Sequence, residues 1–167
     1  SKILNLTGSH LILKSSSNDS KDIKENLLNK FSKENVNLDN IIILDKLKNQ
    51  KDHLECYNKF HLSLDTFPYP GVTTSFESLI MGKPVLTMKG NNFNSRCGES
   101  INLNANLDEF IAENEDDYIN KAVNFSKNPS ILENLNKDLR KKVLSSPLFD
   151  TETFSEDLQS IFLDIIR

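Results

Sequence analysis

The stretch Leu62-Ser63-Leu64-Asp65-Thr66-Phe67-Pro68-Tyr69-Pro70-Gly71-Val72-Thr73-Thr74-Ser75-Phe76-Glu77-Ser78-Leu79-Ile80-Met81-Gly82-Lys83-Pro84 decides how this chain folds. Apolar and polar residues alternate up to Asp65, the period of a half-buried strand. Pro68, Pro70 and Gly71 punctuate a turn. From about Thr74 the apolar side chains recur at helical spacing, and Gly82 with Pro84 supplies a stop. Residues 64–81 therefore predict a strand, a tight turn and a helix. In an open parallel sheet, ligands settle beyond the carboxyl ends of the strands, where such turns lead into helices. The first N–H groups of a helix lack internal partners and carry partial positive charge. Gly71 lets the backbone approach a ligand closely, and Thr73 and Thr74 add hydroxyl donors, a combination suited to a diphosphate. A structural reading competes with this one. Thr74-Ser75-Phe76-Glu77 also fits a capping box, in which Thr74 caps an amide and Glu77 reaches back to the N–H of Thr74. Spacing leaves both open.

Outward from this segment, short apolar runs alternate with helical patterns. Residues 10–14, 40–44, 61–65 and 84–88 read as strands, the second with Ile41, Ile42 and Ile43 in a run suited to burial on both faces. Between them, residues 20–31 space Ile23, Leu27, Leu28 and Phe31 along one helical face, with Ser20 placed to cap it. Residues 49–60 and 73–81 fill the next gaps. Strands alternating with helices of this length imply right-handed βαβ units and a parallel sheet. The expected fold is α/β, a Rossmann-like parallel sheet with helices on both faces and a helical C-terminal tail. Residues 95–103, 117–125, 130–144 and 151–165 form that tail, which is expected to pack back against the sheet. Phe67, Phe76 and Phe110 are the expected core aromatics. The chain reaches its first strand at once after Ser1-Lys2-Ile3-Leu4, which suggests a piece of a larger protein.

The 167 residues suffice for a single domain, 1–167, of which 93–167 is mostly helical. A formal charge of −4 and a pI near 5.4, with lysines interleaved among acids, argue against nucleic acid as a partner. Cys56 and Cys97 are too few for a disulfide framework and lack metal-ligand spacing. No apolar run approaches membrane-spanning length and the N-terminus lacks a signal pattern, so the chain reads as cytosolic with no membrane partner. Neither a GxGxxG nor a GxxxxGK[ST] string occurs. No Ser-His-Asp or Cys-His arrangement can be assigned. Of His10, His53 and His61, only His53 falls in the first turn of a helix that follows a strand, at the same sheet edge as Thr73 and Thr74.

Leu64-Asp65-Thr66-Phe67-Pro68-Tyr69 followed by Gly71 and Thr73-Thr74 resembles the donor-site segment of the O-GlcNAc transferase/SPINDLY family. So do Gly82-Lys83-Pro84-Val85-Leu86-Thr87, Ser95-Arg96 and Ser145-Ser146-Pro147-Leu148-Phe149-Asp150. The resemblance covers almost the whole chain in order. It implies the C-terminal part of a two-domain GT-B glycosyltransferase, with a nucleotide sugar, typically a UDP-sugar, as donor substrate and no cofactor. Transfer in the archetypes goes to Ser or Thr of a protein or peptide acceptor, and to Asn in a bacterial branch. By the same resemblance Thr73 and Thr74 fall on the paired threonines at the pyrophosphate. Glu77 falls on an acidic residue, usually Asp, at the ribose hydroxyls, and His53 on a histidine at the uridine and phosphate. The candidate donor-binding set is His53, Gly71, Val72, Thr73, Thr74, Glu77 and Gln50. Gln50 and Cys56 stand where the family has a lysine near the base and an arginine, and Pro70-Gly71-Val72 replaces an Asn-Gly-Gly turn. The family's first strand of this domain, the lysine after it and the N-terminal catalytic domain would all lie upstream of Ser1. No catalytic residue or general base is assigned. The chain is expected to form half of an inverting glycosyltransferase and to be inactive alone. The alternatives are a non-catalytic nucleotide-sugar-binding or protein-interaction module, and a flavodoxin-like regulator whose acidic phosphoacceptor pocket Asp65 alone would support.

Overall fold

The computed structural model describes residues 1–14, 20–45, 47 and 49–166. The chain is α/β, and every described strand pairing is parallel. A short helix α1 (Lys2–Thr7) precedes β1 (Leu11–Lys14), so the chain does not enter its first strand directly. Then come α2 (Lys21–Lys33), β2 (Ile41–Leu44), α3 (Gln50–Glu55), β3 (Ser63–Leu64), α4 (Thr73–Ile80) and β4 (Val85–Met88). They are followed by α5 (Cys97–Asn104), β5 (Ile111–Ala112), α6 (Glu115–Lys127), α7 (Pro129–Leu144) and α8 (Thr151–Ile166).

Strand β1 pairs with β2, with Leu11 opposite Ile41 and Lys14 opposite Leu44. The second ladder runs β3-β4-β5. No ladder bond among the described residues joins the two, because the bonds of the very short β3 run to β4, from Ser63 N–H to Pro84 and from Asp65 N–H to Leu86. Strand β5 falls in the mostly helical tail, in the gap left between the helices expected at 95–103 and 117–125. The isoleucine run of β2 is not buried on both faces: Ile42 points out and is 40% exposed.

The helices start and stop where local chemistry directs. The Asn49 side chain accepts the Asp52 N–H at the start of α3, and Asn114 does the same for Asp117 at α6. Ser20 sits at the start of α2 but makes no side-chain cap. Gly82, at φ 74°, takes the left-handed turn after α4, and its N–H reaches the Leu79 carbonyl.

The core lies on the β3–β5 side. Leu79, Val85, Ile101, Phe110, Phe125, Leu132, Leu139 and Val143 close together around β4, with Phe76, Leu148 and Phe149 at the margin. Phe110 stacks on Phe125 at a ring distance of 4.6 Å. Thus α5 and α6 of the tail pack on the sheet as expected, beside α4, while α7 packs on α4 and α6. Two expectations fail there. Phe67 is 55% exposed on the turn after β3, and no residue of α8 is buried. The apolar stripe of α8 is regular, but no part of the described chain covers it.

Candidate functional site

The site forms at the carboxyl ends of β1, β2 and β3. Asp65 follows directly on β3, and its carboxylate organises the turn that comes next. One oxygen accepts the N–H groups of Gly71 at 2.6 Å and Thr66 at 3.1 Å, and the other accepts the Thr87 hydroxyl at 2.8 Å. Burial pushes the Asp65 carboxyl above its usual range, and these three donors oppose that shift. The Tyr118 hydroxyl donates to the Asp65 carbonyl at 2.9 Å and ties α6 to the same corner. Burial, then the charge of Asp65, raises the Tyr118 phenol. A carboxylate held this way is a structural staple, and it offers no acidic phosphoacceptor pocket.

The staple folds residues 66–71 back so that α4 begins at Thr73, with Val72 at the cap position. A Cβ on Gly71 would lie 2.4 Å from the Thr74 hydroxyl oxygen, so a side chain there would displace that hydroxyl from the helix end. The N–H groups of Ser75 and Phe76 both bond the Val72 carbonyl. Among the described residues the N–H groups of Thr73 and Thr74 find no acceptor, and both threonines are exposed. The helix end is therefore an open pair of amides beside two hydroxyls, with the polarity that attracts anions.

The capping box does not form. The helix has no side-chain cap, and Glu77 turns away from its start. Its Oε2 meets Nε2 of His53 at 2.8 Å and accepts the Tyr57 hydroxyl at 3.1 Å. Tyr57 also lies 3.4 Å from the Thr74 carbonyl, and its ring packs edge-on against His53 at 5.7 Å. Burial foremost, then the nearby Glu77 charge, pushes the Tyr57 phenol up. On the far side of the imidazole, Lys14 at the end of β1 hydrogen-bonds Nδ1 of His53. An ammonium can only donate, so Nδ1 accepts and the ring proton lies on Nε2, directed at Glu77.

Of the residues expected from sequence, His53 and Glu77 are in direct contact, while Gly71, Val72, Thr73 and Thr74 line the adjoining helix end. Gln50 opens α3 as an exposed residue. Cys56 is buried, its thiol donating to the Asp52 carbonyl at 3.4 Å, so it brings no charge to the site. Sequence reasoning missed Tyr57 and Lys14, and it undervalued Asp65. Tyr57 follows His53 by four positions, one helical turn, which is the one signal that could have found it. Beside the helix end, Val72 and Phe76 form one wall of a groove of about 770 Å³, with Phe93, Arg96, Glu99 and Leu148 opposite. Among the described residues no group of three or more His, Cys, Asp or Glu is placed to hold a metal ion, and no helix is long and apolar enough to cross a membrane.

The chain is similar to known proteins over most of its length. A SPINDLY protein of Hordeum vulgare, whose name describes a UDP-N-acetylglucosamine–peptide N-acetylglucosaminyltransferase, is 40% identical over 111 residues. That match takes in 66% of this chain and 12% of the barley protein. A SPINDLY protein of Eustoma exaltatum subsp. russellianum is 33% identical over 154 residues, 92% of this chain and 17% of the relative. The chain thus spans less than a fifth of the length of these curated relatives. In three dimensions it is similar to a lysine-to-methionine mutant of Thermobaculum terrenum O-GlcNAc transferase, with a TM-score of 0.87 and 28% identity, covering 96% of this chain and 31% of that one. The sequence model of glycosyl transferase family 41 matches residues 21–158, so the chain belongs to that family.

Proposed function

We propose that this chain is the donor-binding half of an inverting glycosyltransferase, holding the diphosphate of a nucleotide sugar at the start of α4. The observation that carries this reading is the pair of open amides at Thr73 and Thr74, set beside a Glu77 that His53 and Tyr57 hold away from the helix end. Gly71 and Val72 would bring the backbone against the phosphates. Glu77 has a second carboxylate oxygen for the ribose hydroxyls. His53 and Gln50 would border the nucleoside. The names of the relatives point to UDP-N-acetylglucosamine as donor and a peptide as acceptor; by the family resemblance the group modified would be a Ser or Thr hydroxyl, or an Asn amide.

In inverting transfer the acceptor attacks the anomeric carbon from the side opposite the diphosphate, which departs as negative charge develops on it. Donors already aimed at that charge lower the barrier without reorganising. The helix end at Thr73 and Thr74 would supply them. None of the residues gathered here is a general base for the acceptor, so the chain would bind donor without turning it over. Cys56, buried and uncharged where the family carries an arginine, favours a second reading, a nucleotide-sugar-binding module without catalysis.

Calorimetric titration with UDP, GDP and their sugars tests the donor site, alongside thermal shift. A ligand that binds only the native state raises stability, by about 2.7 kcal/mol at a hundred times its Kd. Thr73→Val with Thr74→Val should weaken diphosphate binding at unchanged melting temperature. If neither the chain nor the full-length protein binds any nucleotide diphosphate, the assignment is wrong. Binding by a full-length protein that shows no transfer to peptides would select the module.

A further inference from the structure

We propose that Lys14 is a further donor-site residue, whose ammonium rests on His53 in the free protein and moves onto the donor diphosphate when it binds. The inference rests on the donor-diphosphate reading above and adds to it a cation that no expected site residue provides.

Lys14 is the last residue of β1, at the same carboxyl edge of the sheet from which α3 and the turn before α4 arise. Its Nζ lies on Nδ1 of His53, and Nε2 of the same ring lies on Glu77, so three elements meet through one imidazole. Lys14 thus rests on an imidazole. Lys2, Lys24 and Lys89 each sit on a carboxylate, of Glu115, Asp45 and Glu113 respectively. No carboxylate among the described residues lies within ion-pair distance of Lys14. Among the described residues the partner of its ammonium is the Nδ1 ring nitrogen of His53, in an exposed position.

A diphosphate offers that ammonium a charged acceptor, and such hydrogen bonds are roughly twice as strong as those to neutral groups. Among the described residues expected at the site, none supplies a full positive charge. The start of α4 contributes about half an elementary charge. Gln50 and Cys56 are uncharged. Lys51 is paired with Glu55, and Arg96 with Glu99. Within the network of Lys14, His53, Tyr57 and Glu77, Lys14 is the one permanent cation. It also sets the direction of Glu77, because occupying Nδ1 keeps the ring proton on Nε2.

The test is calorimetric titration of UDP and GDP against the wild type, Lys14→Met and Lys14→Arg, at low and high salt. Whichever diphosphate the wild type binds should bind Lys14→Met about tenfold more weakly or worse, the loss expected for a hydrogen bond between charged groups. Lys14→Arg should stay within about threefold, since it keeps the charge at the same edge. Added salt should weaken the wild type more than Lys14→Met. Melting temperatures serve as the folding control, with Lys14→Gln in reserve should the Met variant not fold. Unchanged binding by Lys14→Met overturns the proposal and leaves the donor site standing. Equal losses in Lys14→Met and Lys14→Arg also overturn it, because the side chain's shape rather than its charge would then matter. A wild type that binds neither diphosphate overturns the donor-site reading and this proposal together.

Discussion

Asp65 shows how one side chain can shape the site without touching a ligand. Its carboxylate receives the Gly71 and Thr66 amides and the Thr87 hydroxyl, so Asp65→Ala strands these donors in a partly buried corner. The cost should be about 2–3 kcal/mol, read as a lower denaturant midpoint, with a looser turn before α4. Its titration adds a test of sign. Burial raises the Asp65 carboxyl in the folded state above its ordinary 3.8. A raised carboxyl favours the native state most when protonated, so this contribution is present below 3.8 and is lost as pH rises through the folded value. Asp65→Asn cannot titrate. Its stability relative to wild type should therefore climb as pH is raised from below 3.8 toward neutrality, and a flat difference across that range would refute the burial effect. The sequence makes Asp65 visible as the polar end of a strand. It does not reveal that Thr87 on the neighbouring strand and Tyr118, 53 residues away, converge on it.

Helix α5 lies so close to the same corner that Gly98 has no room for a side chain. A Cβ there would fall 2.2 Å from the Thr87 hydroxyl oxygen and 2.6 Å from the Asp65 carboxylate. Gly98→Ala should thus push α5 off β4 or break the Asp65–Thr87 bond, at a cost of about 1–3 kcal/mol. The check is a thermal melt with hydrogen exchange, in which the protection lost is concentrated in α5 and β4. Elements with repeated periodicity were legible. α2, α4, α6 and α7 follow apolar spacings that only one helical face can bury, and β1 and β4 follow compact apolar runs. α1 and β5 were not legible, because six and two residues carry too little period to separate from a loop. The capping-box alternative at Thr74 failed for a tertiary reason. Glu77 has partners on α3 and just beyond it, and a carboxylate shared by His53 and Tyr57 is not free to fold back on its own helix. His53, Glu77 and the threonines could be placed on the right edge from strand-to-helix order alone. Lys14 and Tyr57 could not, since their roles depend on contacts across the fold.

At the scale of the molecule, burial is uneven, and this bears on the tail. The core gathers around β4, while α8 contributes no buried residue to it. Phe154, Leu158, Ile161, Phe162 and Ile165 are each at least 39% exposed on one amphipathic helix. The spacing that predicted a helix was right, yet periodicity reports only that a face is apolar and not what lies against it. Apolar area that is not withdrawn from water contributes little to folding. Ending the chain after Asp150 should therefore shift the melting temperature by less than about 2 °C, below the roughly 2–4 °C by which each kcal/mol moves a domain of this size. The same truncation should reduce dye binding and self-association, because a contiguous exposed apolar stripe is an adhesive surface. Scanning calorimetry with sedimentation of both lengths decides the matter. A fall of many degrees on truncation would mean that α8 packs on the core of its own chain in solution, against the geometry described. Unchanged stability with weaker association would establish that the α4 site and its core fold independently of this helix.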